Sequence, residues 1–139
     1  MTALEVASLD LQNVDLVTLS ACETGLGQST GGEGMLGLQR AFQVAGAKTT
    51  ISSLWSVDDA ATQTMMIEFY SQLWDKEHSL GKLEALRQAQ LEMLHHYDPR
   101  AKKLVDRGRG LELDEAPMET NGRLSPKYWA AFELSGGWR

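Results

Sequence analysis

The feature that most constrains this chain is an abrupt change of character at Ser20. Val14-Asp-Leu-Val-Thr-Leu-Ser20 is apolar, β-branched and almost uncharged, and five glycines crowd into Gly25–Gly34 directly after it. The first segment reads as a short buried strand. The second suits neither a helix nor a strand and reads as a loop. Met35, Leu38, Phe42 and Ala45 then recur at helical spacing, and Gly46 falls where a left-handed carboxyl cap is wanted. The pattern repeats. Lys48-Thr-Thr-Ile-Ser-Ser-Leu-Trp55 suits a strand, and Asp58 or Asp59 caps a helix over Asp59–Trp74 that buries Met66, Phe69, Tyr70 and Leu73. Strand, helical crossover and strand in this order predict an α/β fold around a mostly parallel sheet with right-handed connections.

The rest of the chain extends this plan. Thr2-Ala-Leu-Glu5 has the spacing of a capping box and predicts a helical turn. Gly81 to about His96 predicts a helix packed through Leu83, Leu86, Gln90 and Leu94. Asp98–Pro126 breaks the pattern. Arg100, Lys102, Lys103, Arg107 and Arg109 are followed by Glu112, Asp114, Glu115 and Glu119, and the segment reads as an exposed, self-neutralising insertion. Tyr128–Ser135 returns to strand-like aromatic and apolar residues before Gly136 and Gly137.

At 139 residues the chain is about one domain, and its 42% apolar content is enough to build a core. A net charge of -6 argues against general attraction to nucleic acid or to an anionic membrane surface. Neither a signal peptide nor an apolar run of membrane-spanning length is present. One cysteine, Cys22, excludes an internal disulfide; with three histidines it leaves too few soft ligands for a structural metal site. The expectations are a cytoplasmic protein with no metal and no cofactor.

In parallel α/β sheets, binding and catalytic groups gather at the carboxyl ends of the strands. Two segments fall there: Ser20-Ala-Cys-Glu-Thr-Gly25 after the first strand and Trp55-Ser-Val-Asp-Asp59 after the second. A cysteine nucleophile needs a thiolate, access for substrate and amides for an oxyanion, and a glycine-rich turn after a strand supplies the last two. The other reading of Cys22 is a buried structural thiol, and the residues alone leave both open. Of Asp58 and Asp59, one caps the helix; the other is free to favour a basic side chain in a substrate. Gly32-Glu-Gly-Met-Leu-Gly37 matches the dinucleotide fingerprint in form, with Asp58 further on. The glycines begin too far beyond the strand, and Glu33 would oppose a pyrophosphate. His95 and His96 end a helix, and His78 lies in a polar connection.

Taken together, Asp15-Leu-Val-Thr-Leu-Ser-Ala-Cys-Glu-Thr-Gly25, Gly32-Glu-Gly-Met-Leu-Gly-Leu38, Ser53-Leu-Trp-Ser-Val-Asp-Asp59 and Tyr128-Trp-Ala-Ala-Phe-Glu-Leu-Ser-Gly136 resemble the CHAT domain, a caspase-like cysteine peptidase module often found with tetratricopeptide repeats. The resemblance implies a caspase-like α/β/α sandwich, with residues 1–139 forming the carboxyl-terminal half of the domain. It implies Cys22 as nucleophile and contributor to the oxyanion hole, with Asp58 or Asp59 shaping a pocket for arginine or lysine before the cut. The base histidine of caspase-like peptidases lies ~50 residues before the cysteine, whereas here all three histidines follow Cys22. Turnover is therefore expected only with a histidine-bearing upstream segment. The expected partners are a protein or peptide substrate, that upstream half or a tetratricopeptide-repeat protein, and a second copy through an exposed sheet edge. The alternative is a non-catalytic CHAT-fold module that binds protein partners.

Overall fold

The computed structural model describes residues 2–19, 33–98, 100, 103–106, 109–113 and 123–138. The chain is mixed α/β and divides into two compact units, Met1–Ser56 with Ala131–Trp138, and Val57–Ala130.

The first unit opens with helix α1 (Ala3–Ala7), and the capping box is complete. The Glu5 amide donates to Thr2 Oγ1 at 3.3 Å, and the Thr2 amide donates to Glu5 Oε2 at 2.7 Å. That second bond favours the ionised carboxylate and holds the Glu5 carboxyl below its ordinary range. Strand β1 (Val17–Leu19), helix α2 (Glu33–Val44) and strand β2 (Thr49–Ser53) follow in the predicted order. α2 begins one residue before Gly34, so that glycine belongs to the helix rather than to the loop. Its far end closes as predicted. Gly46 adopts φ +107°, its amide donates to the Gln43 carbonyl and the Ala47 amide to the Phe42 carbonyl, the paired bonds of a Schellman cap. Val6, Ala41, Phe42 and Ala47 form the core of this unit, with Val17, Leu19 and Leu38 packed on them.

β2 pairs with β1 in parallel, Val17 opposite Thr50 and Leu19 opposite Ser52. On its other side β2 pairs antiparallel with β6 (Phe132–Gly136), from Thr49 opposite Gly136 to Ser53 opposite Phe132. The sheet order is β1-β2-β6, so this sheet is mixed and only one of its two pairings is parallel. The predicted parallel sheet is thus seen in part. All five β2 residues are buried although four carry hydroxyls. Burial requires partners for those hydroxyls. Thr49 Oγ1 donates to the Gly137 carbonyl at 2.5 Å, and Ser52 Oγ accepts from Gln39 Nε2.

The second unit is built on helices α3 (Asp59–Leu73) and α4 (Lys82–His95). α3 buries Ala61, Thr64, Met65, Glu68 and Phe69, and α4 buries Ala85, Leu86, Ala89 and Met93. Of the residues expected inside α3, Phe69 is buried, while Met66, Tyr70 and Leu73 are half-exposed. Tyr70 instead stacks on exposed Trp74, ring centroids 4.7 Å apart. Leu83, expected in the α4 contact, is also exposed. The small side chains Ala85 and Ala89 take the inner face, which favours a close approach of the two helices. Beyond α3, the Asp75 carboxylate accepts the amides of His78 and Glu77 at 2.8 and 2.7 Å. These bonds, His78 first, hold its carboxyl below the ordinary range.

The stretch read as an exposed insertion carries regular structure. β3 (Tyr97–Asp98), β4 (Lys103–Asp106) and β5 (Arg109–Glu112) form an antiparallel sheet, and Leu104 and Leu124 are buried. Leu104 inside and Val105 outside have the period-two alternation of a half-buried strand, hidden in the sequence by charged neighbours. Tyr128 and Trp129, read as the start of a strand, lie in a helical turn, α5 (Pro126–Trp129). Ser125 caps that turn and Pro126 occupies its first position, a local start signal that outweighs the aromatic composition.

Candidate functional site

β1 and β2 run in the same direction and are joined through α2, so the amino end of α2 returns to the edge where β1 ends. Three structural ends of the first unit therefore share one edge: Leu19 of β1, Ser53 of β2 and Phe132, where antiparallel β6 begins. Pairing continues one residue further, with the Leu54 amide donating to the Ala131 carbonyl at 2.8 Å. Leu54, Trp55 and Ser56 then emerge exposed. An edge of this kind collects backbone amides and the positive end of a helix dipole.

Cys22 follows Leu19 by three positions in the sequence and lies outside the described residues, as does most of the glycine-rich segment. Asp58 and Asp59 are described and take different roles. Asp58 is the cap of α3, its Oδ1 accepting the Ala61 amide at 3.0 Å. Asp59 is the first helical residue, exposed, and its carboxylate makes no hydrogen bond or ion pair among the described residues. The expectation that one of the two caps the helix holds. Alanine at Asp58 is expected to lower stability by about 1 kcal/mol while asparagine retains most of it; urea denaturation of the two variants checks this, and equal losses would remove the cap as the explanation.

The histidines sit where the sequence put them. His78 and His95 are exposed, and His96 caps the carboxyl end of α4 with Nε2 3.6 Å from Glu92 Oε2. Its Nδ1 is buried without a hydrogen-bond partner among the described residues. No group of three metal-ligating side chains occurs among the described residues, and none of the described helices is long and apolar enough to cross a membrane.

Sequence reasoning missed a polar cluster on the α2 face of the sheet. The buried Gln39 amide group donates to Ser52 Oγ and, at 2.7 Å, to Glu133 Oε1, tying α2 to both β2 and β6. One turn along, Gln43 Nε2 donates to Ser135 Oγ at 2.7 Å. The available signal was a glutamine beside Leu38 on the helix face that also carries Phe42.

These features define a mixed α/β protein whose crossover carries its single cysteine and a run of glycines between the first strand and the helix. The chain belongs to the CHAT domain family, whose model matches residues 1–137. It is 38% identical over 73 residues to mouse tetratricopeptide repeat protein 28, a match that covers 52% of this chain and 3% of that much longer protein. No solved structure matches the chain.

Proposed function

We propose that the chain carries the nucleophile of a caspase-like cysteine peptidase built on an α/β/α sandwich, with Cys22 attacking the scissile carbonyl. The observation that carries this reading is the placement of β1 in a CHAT-domain chain. It delivers the backbone to the shared sheet edge three residues before the only cysteine. In the reaction the thiolate sulfur bonds to the carbonyl carbon, and the oxyanion takes hydrogen bonds from backbone amides that include that of Cys22. The carbon–nitrogen bond then breaks, the amine leaves with a proton from an imidazolium, and water hydrolyses the thioester to free the thiol. A histidine holds this proton, and because His78, His95 and His96 all follow the cysteine, one from an upstream segment is proposed for the role. Asp59 is the better candidate for holding a basic side chain before the cut, because Asp58 is engaged in its cap. Association with tetratricopeptide repeats is proposed as well, supported by the mouse relative.

The test joins the chain to the sequence encoded immediately before it and assays fluorogenic peptides that carry arginine, lysine, glutamate or leucine before the reporter. Cleavage after arginine or lysine is expected. Turnover of none of the four by the joined protein would overturn the peptidase reading, and preference for glutamate would overturn the basic pocket alone.

A further inference from the structure

α2 and β6 of the first unit flank a concave feature on the face of the sheet that carries the Gln39 cluster. It is a groove of about 500 Å³ lined by Leu36, Gly37, Gln39, Arg40, Gln43 and Ser135. Among the described residues Arg40 is the one charged residue of the lining, and its exposed guanidinium makes no hydrogen bond or ion pair with them. The nearby Glu133 carboxylate instead takes the Gln39 amide group.

The bonds around the groove leave a defined set of free groups. The Gln39 nitrogen is committed to Ser52 and Glu133, and the Gln43 nitrogen to Ser135. Neither glutamine oxygen is engaged in these bonds, and each keeps its capacity to accept. The Ser135 hydroxyl accepts from Gln43 and keeps its own proton to donate. A β carbon at Gly37 would meet nothing within 4 Å, so the floor is open there, and exposed Leu36 supplies an apolar wall. Acceptors for amides, a hydroxyl donor, an apolar wall and one unpaired guanidinium match a peptide segment with an acidic side chain better than they match a bare anion.

We propose that the α2/β6 groove binds a short extended peptide whose aspartate or glutamate carboxylate pairs with Arg40. The two glutamine carbonyls receive the peptide amides, and the guanidinium confers the preference for acid over amide side chains. The chain's own charge of -6 makes this local cation the means of attracting an acidic partner, and binding weakens as salt rises.

The test is an NMR titration of the full chain with Ac-Ala-Leu-Glu-Ala-NH2, its glutamine counterpart and sodium acetate. Saturable shifts at Gly37, Arg40 and Ser135 are expected with the glutamate peptide, with affinity about tenfold weaker for the glutamine peptide. Arg40→Gln should remove the difference between the peptides, and Arg40→Lys should keep part of it. Equal affinity of wild type for the two peptides would overturn the proposal without relying on any variant. Shifts confined to other residues would overturn the site, and acetate binding as tightly as the peptide would overturn the peptide as its occupant.

Discussion

Replacing Cys22 with alanine is expected to reduce cleavage of arginine- and lysine-containing peptides by the upstream-joined protein to background, a fall on the order of 10⁴-fold or more. Alanine removes the attacking sulfur and with it the covalent intermediate, leaving only the slow attack of water that binding and an oxyanion site still assist. Substitution of Asp59 separates chemistry from recognition in the same assay. Asp59→Asn should raise KM for the arginine peptide with little change in kcat, because a charge that holds the substrate equally in ground and transition states contributes only to binding. Equal rates for wild type and Cys22→Ala would rule out the cysteine as nucleophile. A KM unmoved by Asp59→Asn would leave the basic pocket without its proposed carboxylate.

The parts of this protein legible in its sequence are those set by neighbours within a few residues. The Thr2 capping box, the Asp58 cap and the Schellman turn at Gly46 each depend on side chains or a φ angle at fixed short offsets, and each is present. The β1-α2-β2 order was readable for the same reason. The direction of β6 was not, since its pairing with β2 joins residues 79 to 87 apart, and an isolated apolar run carries no sign of which way it lies. Helix faces failed in a subtler way. Met65 and Met66 differ by one position, about 100° around a helix, and which of them turned inward was set by packing rather than by hydrophobicity. Among the described residues near the candidate site, the helix cap was legible and the polar cluster was not. Two acids next to each other announce a cap and a free carboxylate, but nothing local announces that Gln39 reaches Glu133, ninety-four residues away.

Gly136→Ala is expected to destabilise the chain by roughly 2 to 4 kcal/mol, combining backbone strain with the loss of hydrogen bonds at the strand end. Gly136 sits at φ +102°, and a β carbon there would lie 2.3 Å from the Lys48 carbonyl oxygen and 3.3 Å from the Thr49 α carbon. The obstacle is backbone, so no side chain can rotate away to relieve it. Relief requires the end of β6 to lift from β2, and two bonds oppose that movement. The Gly137 amide donates to the same Lys48 carbonyl at 2.7 Å, and Thr49 Oγ1 donates to the Gly137 carbonyl at 2.5 Å. Breaking them would leave the buried Thr49 hydroxyl without its acceptor, which is costly in a strand whose five residues are all buried. Gly137→Ala supplies the contrast. Its β carbon would meet the Lys48 oxygen at 3.5 Å and Thr49 Oγ1 at 3.7 Å, ordinary contact distances, and its φ is not in the left-handed region. That variant should lose less than about 1 kcal/mol, within the usual range for a tolerated substitution. Urea denaturation of both variants beside wild type measures the difference as a shift in midpoint at constant slope. If the two glycines proved equally tolerant of alanine, the close approach of Gly136 to Lys48 would not be what holds β6 in register on β2.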